Sequence, residues 1–446
     1  MTDCNTPPIV FSSLGRRNIL ADFAGGTLTS DAGALLLREA DRQLELTGAL
    51  NDVVPDPRNQ ALITHQQLTM LRQRIFAIAL GYEDGNDHQE LRNDPLIQVL
   101  TERGVDPKQP LASPPTLCRL ENRVDRAALV AMSQVLVESF IRRHQTPPAE
   151  LVLDFDATDD LVHGNQVGRF FHGYYDHYCF LPLYVFCGDD LLCAYLRPAN
   201  QDGATHAWAI LSLLVKRFRQ VWPQVKIIFR GDSGFCRWKM LRWCERHGVL
   251  YIVGLARNQR LQTMAKGWMD QAESQFKATG QKQRIFNDLS YAAGSWDKPR
   301  RVISKAEYLE GGPNHRFVVT NLSGPAQGLY DELYCQRGEC ENRIKEQQLH
   351  LYADRTSCHD FAANQFRVLL SAAAYVLMNH IRRQGLTGTE LEQAQVDTIR
   401  LKLLKIGGRV VCSVRRVVLH LAGGYPLKRL FQQVLQQLRG GLMASG

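Results

Sequence analysis

Three carboxylates stand at the ends of segments that could bring them to one place. Asp156 closes the run Leu151-Val152-Leu153-Asp154-Phe155 and is followed by Ala157-Thr158. Asp232 follows Ile227-Ile228-Phe229-Arg230-Gly231 and precedes Ser233-Gly234. Glu341 lies in Tyr334-Cys335-Gln336-Arg337-Gly338-Glu339-Cys340, a stretch that reads as helix. Two acids at strand ends and a third on a later helix can hold a pair of divalent ions for phosphodiester chemistry. Their hard oxygens suit Mg2+, with Mn2+ able to substitute. Asp154 shares a strand face with Asp156 and is its rival as a ligand. His163, His172 and His177 fit no zinc spacing and read as structural or DNA-facing.

The helix carrying Glu341 offers other groups on one side. At a helical period, Tyr334, Arg337, Glu341, Lys345 and Gln348 fall within an arc of about 80°. A ring, a guanidinium, a carboxylate and an ammonium in line would suit a metal ligand beside groups that grip phosphates. The same pattern would also serve as a surface ladder of ion pairs.

The elements needed to position these groups are legible as patterns. Residues 1–147 read as a mainly helical domain after a hairpin-like start at Ile9–Leu28, with Ser30 or Asp31 capping the first helix and Asp94-Pro95 opening another. Within it, Ser113 to Arg123 could present Arg119 and Arg123 to DNA, or could be an ordinary bundle helix. Residues 148–254 alternate strand and helix, the order expected of a ribonuclease-H-like core. Residues 255–322 read as a β-rich insertion, 323–383 as completion of the core with the third-acid helix, and 384–446 as a basic helical tail. The fold class is therefore α/β, with a helical domain before the core and a tail after it.

The 446 residues are 45% hydrophobic and 22% charged, the balance of a globular protein. The formal charge is +8. From Ile381 onward eleven Lys and Arg stand against Glu390, Glu392 and Asp397, so this region holds the whole excess. Basic clusters attract polyanions. Met1 to Asn5 lacks a leader pattern, and Val368–Met378 is too short an apolar run to span a bilayer. Scattered cysteines without a CxxC pair fit a reducing cytoplasm.

These residues together resemble a bacterial insertion-sequence DDE transposase, in the group with a Tyr-Arg-Glu-Lys signature around the third acid. Tyr334, Arg337 and Glu341 meet the Tyr-x2-Arg-x3-Glu spacing, but Gln348 stands where the signature has lysine, and Lys345 is the substitute one turn earlier. Asp156-Ala157-Thr158 resembles the first aspartate motif, and Arg230-Gly231-Asp232-Ser233-Gly234-Phe235 the second. Val318-Val319-Thr320-Asn321-Leu322 is similar to the strand returning from the insertion, and Gly81–Asp87 and Gly168–Tyr175 are similar to further segments of the group. The resemblance implies cut-and-paste transposition. Asp156, Asp232 and Glu341 would act as catalytic metal ligands for two Mg2+ or Mn2+ ions. Tyr334, Arg337, Lys345, Arg230, Trp296, Arg300, Arg301, Arg119 and Arg123 would meet DNA, and Trp296 would stack on an unpaired base or else pack on the core. The implied partners are double-stranded element ends and target DNA, bound by a homodimer in a bacterial cytoplasm at the nucleoid. A ribonuclease-H-like nuclease or resolvase without strand transfer, and a non-catalytic DNA-binding descendant, are the alternatives.

Overall fold

A computed structural model of the chain describes residues 8–106 and 108–443; Met1 to Asn5, read above for a leader, lie outside them. The chain divides into two compact units, one of residues 46–56 and 119–379, the other of 1–45, 57–118 and 380–446. Most of the first 118 residues and the last 67 therefore share one unit, a departure from the separate domain and tail expected from sequence.

The first unit is built on an eight-stranded mixed sheet. Its strands are β1 (Glu150–Ala157), β2 (Leu183–Cys187), β3 (Asp190–Tyr195), β4 (Lys226–Gly231), β5 (Leu250–Leu255), β6 (Gln283–Tyr291), β7 (Arg300–Leu309) and β8 (Gly312–Thr320). They lie in the order β6-β7-β8-β5-β4-β1-β2-β3. β1, β4 and β5 run parallel and the others antiparallel to their neighbours. Period-2 alternation explains the two faces. Leu151, Leu153, Phe155, Ile227, Phe229, Tyr251 and Val253 point to one side, where they pack with Leu211, Phe218 and Leu241 of the helices α1 (Ala207–Val221) and α2 (Trp238–Arg246). Phe155 meets Phe229 edge-on at 5.2 Å. Ile228, Ile252, Ile303 and Val318 face the other side, against Tyr330.

The expected insertion is not a separate body. β8 pairs antiparallel with β5, with Val253 opposite Val319, so β6–β8 extend the main sheet. Alternation in 300–320 marks strands but carries no information about which edge they join. The Thr-Asn pair at its end acts as a latch: Thr320 Oγ1 donates to Tyr251 O at 2.7 Å, and Asn321 Oδ1 accepts from Tyr251 N at 2.7 Å.

The third-acid segment is not one regular helix. Wide π turns at Leu329–Tyr334 and Glu346–His350 flank α3 (Arg337–Lys345), so the 3.6-residue period holds only within α3. The following helix α4 (Phe361–His380) continues to Gly385 and over those 25 residues is long and apolar enough to cross a membrane, contrary to the short run expected. Its most apolar window is 83% buried in protein, as in a core helix. Gln365 of α4 accepts from Leu196 N at 2.7 Å and donates to Ala194 O at 3.0 Å, which satisfies the open edge of β3.

In the second unit, Ile9–Leu14 and Arg17–Ala21 form the expected hairpin. Asp94 caps its helix, accepting from Leu96 N at 2.7 Å. Asp31 makes no cap: buried, it accepts from Tyr82 Oη at 2.7 Å and pairs with Lys405 Nζ at 2.7 Å. The region after 384 is only partly helical. Gly408–Cys412 and Val417–Leu421 form a hairpin that pairs with Leu28–Thr29, ahead of a helix from Lys428 to Met443.

Candidate active site

β1 and β4 are parallel neighbours with Phe155 opposite Gly231, so Asp156 and Asp232 leave the sheet side by side. Alternation turns Asp154, Asp156, Arg230 and Asp232 toward the face where the third-acid segment packs. The chain turns sharply after Asp232, whose Oδ1 accepts from Gly234 N at 2.8 Å. From α3, Arg337 reaches both remaining acids: Nη1 is 3.3 Å from Asp156 Oδ2, and Nη2 donates to Glu341 Oε1 at 2.5 Å. Arg337 and Glu341 are one helical turn apart, which aligns them.

Asp156 is 14% exposed and Glu341 is 45% exposed. Burial pushes the Asp156 carboxyl up to about 7; Arg337 pulls it down, and the charges of Asp232 and Glu341 push it further up. Asp156 and Glu341 share one guanidinium while Asp232 and Glu341 add negative charge at Asp156, a deficit of positive charge that suits a cation of higher charge. Among the described residues, no three His, Cys, Asp or Glu side chains stand close enough to hold an ion as they are. The donor chemistry fits a divalent ion, with Arg337 now lying between Asp156 and Glu341.

Asp154 is committed to an ion pair. It is 2% exposed and clasped by the Arg230 guanidinium, with Nη2 donating to Oδ2 at 2.6 Å and Nε to Oδ1. Arg230 also donates to Leu333 O, which ties the sheet to the segment before α3. Arg230 is thus a buried strut, and its expected DNA contact is corrected. Arg300 is corrected likewise: 5% exposed, it bonds Glu245 at 2.7 Å and Asp297 at 2.9 Å. Its guanidinium lies over the Trp296 ring, 5.4 Å from the centroid, and Tyr291 meets Trp296 edge-on at 5.6 Å. Trp296 is therefore committed to packing, the alternative open from sequence. Arg301 spends its donors on Asp288 at 2.7 Å and on Leu322 O and Gly324 O, each at 2.7 Å.

Lys345 and Arg119 are exposed on their helices. Arg123 falls beyond the end of its helix, which stops at Glu121, and pairs with Asp56 at 3.3 Å. Gln348, at the signature's lysine position, donates to Asp159 O at 2.9 Å and so anchors the segment to the loop after β1. His177 bonds Asp159 at 2.8 Å.

Sequence reasoning passed over Gly254 on β5. A Cβ there would lie 2.7 Å from Tyr334 Oη and 2.8 Å from Ser233 N. A lone glycine in a strand signals close approach of another group, and here it admits Tyr334 to the edge of the site.

The chain matches the family described as transposase DDE domain, group 1, over residues 11–441, and belongs to it. It is a DNA transposase. Among solved structures, the piggyBac transposase synaptic complex with hairpin DNA, determined by cryo-EM, is similar over 93% of this chain and 85% of that one, with a TM-score of 0.43 and 10% identity. A comparison with curated proteins gave no significant match.

Proposed function

We propose that Asp156, Asp232 and Glu341 are the catalytic carboxylates of a ribonuclease-H-like core. In this reading the enzyme cuts its element's ends and joins them to target DNA, acting as a homodimer on double-stranded DNA in the bacterial nucleoid. The observation that carries the reading is the bridge from Arg337 to Asp156 and Glu341, residues 181 positions and one helical turn away, beside Asp232. The three carboxylates would hold Mg2+ or Mn2+, two ions per site. When bound, such ions supply activation of water or a DNA 3′-OH and stabilisation of the leaving oxygen. The residues do the positioning. Adjacent parallel strands fix the spacing of Asp156 and Asp232, and the Arg230 strut fixes the approach of the third-acid segment. Arg337 is the cation that the acids hold in the free chain; when DNA arrives its fork can turn to a phosphate. Tyr334 and Lys345 flank it on the same segment.

The test is cleavage of a plasmid carrying the element ends. Asp156→Ala, Asp232→Ala and Glu341→Ala should each abolish cutting while DNA retention stays nearly intact, because basic surfaces supply the affinity. Cutting should need Mg2+ or Mn2+, with Ca2+ supporting binding and little cleavage. Full activity in EDTA, or strong residual cutting by any one variant, overturns the assignment. Products separate strand transfer from simple nicking, the alternative of a nuclease without transfer.

A further inference from the structure

A groove of about 540 Å3 opens beside α2, within the size range of small-molecule pockets. Trp208, Trp238 and Trp243, half of the chain's six tryptophans, line it. So do Arg237, Lys239, Arg242 and Arg246, and no acid is among its lining residues. Trp208 is 53% exposed, whereas every other tryptophan is buried or half-buried. Lys239 and Arg242 lie over the Trp238 ring at 5.8 and 5.9 Å, which holds their charge at the aromatic wall. Arg237 and Arg242 are steadied from the rim by Asp202 and Asp297; Lys239 and Arg246 stand exposed.

Exposed aromatic faces among cations are unfavourable to leave in water, and an acidic or purely apolar ligand would satisfy only one half of the groove. Unpaired nucleotides satisfy both, because every base has a flat π-face and every linkage a negative phosphate. α2 begins six residues after Asp232, in the same unit. We propose that this groove binds unpaired nucleotides of a DNA strand, with Trp208 as the stacking platform and Lys239 and Arg246 as phosphate contacts. The proposal rests on the transposase reading and names a single-strand site outside the acids.

The probe is a labelled single strand of roughly 12 nucleotides, within known site sizes, measured beside the same sequence as a duplex. Trp208→Ala should weaken the single strand by about 5- to 150-fold, the fold-change of one lost stack, with duplex affinity within about 2-fold of wild type. Trp208→Phe should recover most of the loss. The Lys239→Ala/Arg246→Ala double variant should flatten the single-strand salt dependence by about 1.4 in log–log slope. Unchanged single-strand affinity in Trp208→Ala, or an equal loss on both probes, overturns the proposal. A wild-type chain that held no duplex would count against the transposase reading instead, since the single-strand comparison is decided separately.

Discussion

At the scale of residues, two aspartates two positions apart on one strand have opposite fates. Asp154 is neutralised by a bidentate arginine, while Asp156 faces two further acids with half a guanidinium. The segment patterns around Asp156, Asp232 and Glu341 were legible because each acid follows a recognisable strand or sits on a helix. The partner of Asp154 was not, because Arg230 is 76 positions away and only the register of β1 against β4 joins them. The same blindness made Arg300 look available for DNA, since a basic tripeptide context cannot reveal Glu245 beneath it. Asp156 also yields a signed prediction. Its carboxyl is raised from 3.8 to about 7 in the folded chain, so folding takes up a proton between those values. The charged form therefore costs stability above pH 7, and the cost disappears toward pH 4. Asp156→Asn should be inactive yet melt higher than wild type at pH 8 in chelated buffer, by on the order of 1–4 kcal/mol, and converge with it near pH 4. Equal melting curves at pH 8 would show that Asp156 is not electrostatically frustrated.

At the scale of elements, strands were easier to find than to join. Runs rich in Val, Leu, Phe and Tyr located β1–β5, and short alternating runs marked parts of β7 and β8. The pairing of β8 with β5 was not visible, nor was the irregular winding around α3. Wide turns lack a side-chain period, so an arc drawn at 100° per residue overstates how Tyr334 and Gln348 align with Glu341. What brings Tyr334 to the site is instead the bare backbone of β5. Gly254→Ala would put a methyl 2.7 Å from Tyr334 Oη and 2.8 Å from the Ser233 amide. Because Ser233 N is backbone, the turn after Asp232 has to shift. Cleavage should fall by about 100-fold or more, as displacements of about 1 Å do at positioned sites, while circular dichroism and duplex binding change little. Wild-type cleavage rates in Gly254→Ala would mean that Tyr334 and Asp232 need no such fit.

At the scale of the whole molecule, charge follows the architecture more than the sequence order. The unit of residues 1–45, 57–118 and 380–446 gathers both ends of the chain. It thereby receives the C-terminal basic excess, and after Asp397 the sequence contains no Asp or Glu. The hairpin of Gly408–Cys412 and Val417–Leu421 carries Arg409, Arg415 and Arg416, all exposed. Sequence showed the excess but assigned it to a helical tail; the alternation in 408–421 is weak because the hairpin is solvated on most of its surface. If these arginines neutralise phosphates of duplex DNA, each releases condensed counterions and adds about 0.9 to the slope of log K against log salt. Replacing all three by alanine should lower that slope by up to about 2.7 and weaken binding across unrelated sequences alike, because phosphate contacts carry no base information. The melting temperature should hardly move, since exposed charges contribute little to stability. Duplex affinity measured over a salt series decides it: a slope equal to wild type would show that this hairpin stays off the DNA and that the excess charge acts elsewhere in the unit.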